Sequence, residues 1–120
     1  MNLTNPLMIQ RIAAVAGTFQ HQTTGRPPSS VTVVQSHDSL VVTLHDALSL
    51  AERMLAQSPT GAAHVRELHR QLFHGSCGPL RREIEEITGV EVHDANTEVE
   101  TSSGTVVQVF TTGARTSTLV

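Results

Sequence analysis

Apolar positions along the chain change period three times. From Met8 to Phe19 they recur at helical spacing, with Met8, Ile12, Val15 and Phe19 at i, i+4, i+7 and i+11 and Ile9, Ala13 and Ala16 widening the stripe. Asn5-Pro6 supplies an N-cap side chain followed by proline at the first helical position. The polar stretch from Gln20 to Ser30 interrupts the stripe and predicts a loop. From Val31 the period becomes two. Strands are expected over Val31–Ser36 and Leu40–Asp46, with His37-Asp38-Ser39 as a tight turn between them. In the second strand, Val42 and Leu44 share one face, and Thr43 and His45 the other.

Helical punctuation follows. Ser49 and Glu52 stand at capping-box spacing, in which the hydroxyl serves a free N–H and the carboxylate reaches back to the cap. Ser58-Pro59 opens a second helix with Val65, Leu68 and Leu72 as its seam and Gly75 as its expected stop. Gly78-Pro79 opens a third, with Leu80, Ile84 and Ile87 at i, i+4 and i+7 and Gly89 at its end; the alternative is one long helix kinked at Pro79. Beyond Gly89 the period returns to two. A strand from Val90 to Glu100, with room for a bulge, leads through Thr101–Gly104 into a last strand, Thr105–Thr112. The order α-ββ-αα(α)-ββ predicts an α+β two-layer sandwich, a four-stranded, mainly antiparallel sheet with helices on one face. One domain over 1–120 is expected, with its core at about 6–112 and a frayed tail from Gly113 to Val120.

Composition excludes more than it assigns. The net charge is −3, which disfavours nucleic acid as a partner. All eight basic residues are Arg, so lysine nucleophiles, Schiff bases and a P-loop lysine are excluded. The chain has no Trp or Tyr, and its one cysteine rules out an intrachain disulfide or a Cys-based zinc cluster. No apolar run reaches the roughly 18 residues a membrane helix needs, and the N-terminus has no signal-peptide pattern. A cytoplasmic protein with no direct membrane insertion is expected.

Several residues invite chemistry. Of the seven histidines, His64, His69 and His74 lie on one helix at spacings of five, which points neighbours about 140° apart. Helical zinc pairs want i, i+4, so no metal or other cofactor is expected. Cys77 precedes a helix N-terminus, where a thiol can be activated; a small residue at a helix junction is the plainer reading. Glu83, Glu85 and Glu86 read as dipole-complementing surface acids. Gly25-Arg26-Pro27-Pro28 presents an arginine on a stiff mount, so Gly25, Arg26 and Pro28 form a candidate site for an anion or a partner's carboxylate. The plainer alternative is an ordinary loop arginine pairing with a helix C-terminus. No catalytic constellation is found; an enzyme using a histidine with Glu98 or Asp46 would need subunits to converge.

Branched apolar residues occupy both parities of the strands. Val31 and Val33 oppose Val34, Val42 and Leu44 oppose Val41, and Val107 and Val109 oppose Val106 and Phe110. Whichever face meets the helices, the other stays partly apolar, which marks an interaction surface. A two-fold homodimer is expected, with Val41, Thr43, His45, Val107 and Val109 as its candidate face.

The ordered pieces resemble the MpsC-like family over about Ile9 to Thr112. The marks are Gly25-Arg26 with Pro28, Val41–Leu44, Leu48, Ala51-Glu52, Leu55-Ala56, Gly61, Arg70, Leu72 and Pro79-Leu80. The run Ile84–Val90, then Thr97-Glu98, Gly104 and Val107–Phe110 complete them. Two positions depart from the pattern: polar His21–Thr24 stands where an aromatic residue often precedes the loop, and Pro27 replaces the usual glycine. The resemblance implies a soluble, non-catalytic accessory to a membrane ion-transport or membrane-potential-generating system, with a membrane-transport protein as partner. The residues themselves keep two alternatives open, an anion- or small-molecule-binding sensor using the Arg26 loop and a minimal enzyme with a shared site.

Overall fold

A computed structural model describes residues 5–113. The elements run α1 (Pro6–Thr24), β1 (Ser30–Gln35), β2 (Ser39–His45), α2 (Leu50–Leu55), α3 (Pro59–Ser76), α4 (Gly78–Thr88), β3 (Glu91–Glu100) and β4 (Thr105–Gly113). The strands form one open sheet in the order β1-β2-β4-β3, and every neighbouring pair is antiparallel. The expected α+β architecture is therefore the observed one.

Local chemistry explains the helix starts. Asn5 Oδ1 accepts from the amides of Leu7 and Met8. Ser49 and Glu52 form the complete capping box, and Ser58 Oγ accepts from the Gly61 amide. Some ends differ from the expected ones. α1 continues five residues beyond its last large apolar position, Phe19, into the stretch read as loop. The Thr24 hydroxyl donates to the Gln20 carbonyl, Gln20 is buried, and left-handed Gly25 (φ 81°) closes the helix. Gly75 does not stop α3, which runs to Ser76; Cys77 then separates it from α4, so the chain has two helices rather than one kinked helix. Gly89, at φ 75°, ends α4 as expected. The bulge falls between Val92 and Asp94. Gly113 belongs to β4 rather than to a tail; the remainder of the expected tail lies outside the described residues.

The core lies between one face of the sheet and the helices. Leu40, Val42 and Leu44 of β2, Val106 and Phe110 of β4, and Val92, Ala95 and Val99 of β3 share that face with Ile12, Ala16 and Phe19 of α1, Val65 and Phe73 of α3, and Leu80 and Ile84 of α4. Phe73 meets Phe19 edge-on and Phe110 at a tilt, both at 6.1 Å between ring centroids, joining the helical layer to the sheet. α2 buries none of its residues, and Leu50, Met54 and Leu55 point outward. Its polar residues hold it instead, through Glu52 to α3 and Arg53 to the β2 end.

Candidate functional site

The sheet face away from the helices carries the candidate interaction residues. Strand register places them in rows. Val34 pairs with Val41, Val41 with Val109, and Val109 with Asn96; one row along, Thr32 pairs with Thr43, Thr43 with Val107, and Val107 with Glu98. His45 lies opposite Ser30, and its Nε2 is 2.9 Å from Thr32 Oγ1. The burial alternation of β2 and β4 puts Val41, Thr43, His45, Val107 and Val109 together on this open face, half-buried by their neighbours alone. Val34 joins them at 57% exposed. Asp94, Asn96, Glu98 and Glu100 of β3 form the acidic flank of the same face. Reading single strands could not place that flank beside β4, because the strand order was not in the pattern.

The Arg26 loop is tied to the chain just beyond β2. Arg26 Nε donates to the Asp46 carbonyl at 3.2 Å and its Nη2 to Asp46 Oδ2 at 3.1 Å. Arg53 Nη2 donates to Asp46 Oδ1 at 2.6 Å. Arg26 thus pairs within its own chain, with the residue that follows β2 rather than with a helix C-terminus. Asp46 has φ 53°, a left-handed conformation that aspartate tolerates better than most residues. The hydrogen bond from Arg53, with both guanidinium charges, holds its carboxyl below the usual range against some desolvation. Gly104, at φ 72°, leaves the space in which the Arg53 guanidinium lies. Gly25 serves as the α1 cap, and Pro28 packs near Gly17 and Val31. Arg53 and Gly104 give no motif in sequence; the contact becomes visible only when β2 and the Thr101–Gly104 turn converge.

A second polar contact is internal. Glu52 Oε2 lies 2.7 Å from His69 Nε2, with His69 buried. An ionised carboxylate accepts only, so Nε2 carries the proton. Burial pushes the Glu52 carboxyl up, but the Ser49 amide, the His69 ring and the Ser49 hydroxyl outweigh it and hold it below its ordinary value. The sign follows for stability. Carboxylates with lowered native pKa values contribute fully at neutral pH, and the contribution is lost as pH falls below the ordinary values of 4.5 for Glu52 and 3.8 for Asp46. Thermal melting from neutral pH to about pH 3 should show a declining midpoint, and Glu52→Gln should remove part of that decline.

The other candidates do not converge. His64 and His74 are exposed while His69 faces the interior, so the three diverge as their spacing predicts. Among the described residues no group of three His, Cys, Asp or Glu could hold a metal ion. Cys77 is buried in the core at the α3–α4 junction. Glu85 Oε2 accepts from the Val92 amide, tying α4 to β3, while Glu83 lines a shallow groove between α1 and α4. Among the described residues no helix is long and apolar enough to cross a membrane.

Neither the curated proteins nor the solved structures contain a match to the chain. A family model does match, described as the Na+-translocating membrane potential-generating system (MpsC), and it covers residues 6–113 of the 120. That span takes in every helix and strand from α1 to β4, and on it the chain belongs to the MpsC family.

Proposed function

We propose that this chain is a non-catalytic interaction module, an accessory to a membrane-potential-generating or ion-transport system, and that it works as a two-fold homodimer on the cytoplasmic side. The family's description supports the link to such a system. The observation that carries the module reading is the open sheet face, where Val34, Val41, Val107 and Val109 cross three strands with α1, α3 and α4 packed on the other side. Antiparallel sheets tolerate one wet face when that face is polar; this one is valine at its centre. Four strands about 4.8 Å apart and about seven residues long present roughly 440 Å² in projection, before side-chain relief is counted. Two such faces approach the lower end of stable interfaces, about 1,200 Å² in total. Sedimentation of the wild-type protein tests this reading directly.

A second reading rests on Arg26 and Arg53. Two guanidiniums share one carboxylate, and both remain more than a third exposed. The cluster therefore keeps a surplus positive charge and free donors for a phosphate or a partner's carboxylate. Arg26→Gln should keep the fold, because Arg53 still holds Asp46. In a phosphate titration followed by amide chemical shifts, the wild type should respond around Asp46 and the variant should not. Equal responses from the two proteins would remove Arg26 from the functional account.

A further inference from the structure

We infer that the two-fold axis of the dimer runs along the strands, between β2 and β4, so that β2 of one protomer lies over the partner's β4 and β1 over the partner's β3. The inference rests on the dimer reading above and adds its geometry. Its basis is the uneven charge of the open face. β3 contributes Glu91, Asp94, Glu98 and Glu100 to that face, whereas β1, β2 and β4 contribute no carboxylate and none of the four strands contains an arginine. The arginines beside this edge stand on helices: Arg66 and Arg70 on α3, with Arg70 held by Glu67, and Arg81 on α4, which donates to the Val92 carbonyl.

Two face-to-face arrangements have two-fold symmetry with aligned strands. An axis across the strands lays each strand over its own copy, which brings the two acidic flanks together in an interface to which no strand contributes an arginine. Like charges juxtaposed in that way oppose association. An axis along the strands reverses the order β1-β2-β4-β3 over itself. The acidic flank then meets β1, whose face residues are Ser30, Thr32 and Val34.

Register makes the second arrangement specific. The row Val34, Val41, Val109, Asn96 falls over its own reverse, so Val41 meets the partner's Val109. In the next row Thr43 meets the partner's Val107, and Thr32 meets the partner's Glu98. Valine lies on valine at the centre, and a hydroxyl faces the carboxylate at the rim. The roughly 30° crossing of aligned sheets displaces the outer strands most and the β2–β4 pairs least.

The test uses cysteine pairs in a Cys77→Ala background. Val41→Cys and Val109→Cys proteins, purified separately, mixed and mildly oxidised, should give a mixed disulfide in excess of either self-disulfide. Independently, Thr32→Arg should tighten the dimer several-fold by facing the partner's Glu98, whereas an axis across the strands would set arginine against arginine and weaken it. A dimer with self-disulfides only, or one weakened by Thr32→Arg, overturns the axis and leaves the dimer standing. A wild-type protein that sediments as one chain removes the dimer and the axis together.

Discussion

Gly61→Ala is expected to be among the most damaging single-methyl changes in the chain. Gly61 occupies the third position of α3, where its amide donates to the Ser58 hydroxyl. A Cβ there would overlap the carbonyl oxygen of Leu55, the last residue of α2, and crowd the Ser58 hydroxyl as well. The clash is with backbone, so no rotamer relieves it. Moving α2 away is opposed by three ties: Glu52 to His69, Arg53 to Asp46, and Ala56 packed against the core. Overpacking of this kind costs about 3 kcal/mol, against about 1 kcal/mol gained from the helical preference of alanine. The net loss of about 2 kcal/mol should lower the melting midpoint by about 8 °C. Gly75→Ala is the control. It lies in the same helix, nothing stands within 4 Å of its added methyl, and it should be neutral or slightly stabilising. Equal melting of the two variants would mean that α2 and α3 do not cross as described.

The other large effect concerns assembly. Val41→Glu with Val107→Glu should yield a folded monomer. Both valines sit on the open face in adjacent rows, and neither belongs to the core cluster. Each substitution appears twice in a two-fold dimer, so the interface would have to desolvate four carboxylates beside the native acidic flank. A loss of at least about 4 kcal/mol of association, or a thousandfold in Kd, is the expected scale. Circular dichroism should show retained secondary structure, since Val42, Leu44, Val106 and Phe110 keep the other face. A double variant that remains dimeric would move the interface elsewhere, for example to the outward Leu50, Met54 and Leu55 of α2.

Features set by neighbours within a few residues were legible in the sequence. The caps at Asn5, Ser49 and Ser58 depend on bonds reaching two or three residues, and residue type with spacing reveals them. Strand alternation separated Val42 and Leu44 from Val41, Thr43 and His45 because period two needs no partner strand. The end of α1 was obscured because its final turn is polar. Gln20 is nevertheless buried between α1, α3 and the sheet, a tertiary placement that no hydropathy pattern reports. The partner of Arg26 was hidden for a similar reason. Asp46 is 20 residues away and Arg53 approaches from a third element, so the cluster forms only after the hairpin and α2 have docked. The acidic flank likewise needed the strand order, which puts β4 between β2 and β3 although β3 comes first in the chain.

The central claim is that the valine-centred sheet face joins two copies of this chain. Sedimentation equilibrium of the untagged wild-type protein across the micromolar range tests it most directly. The account predicts twice the chain mass of 12.9 kDa at the upper concentrations, reduced to one chain mass by the Val41→Glu, Val107→Glu substitution. A wild-type mass of 12.9 kDa throughout that range would contradict it.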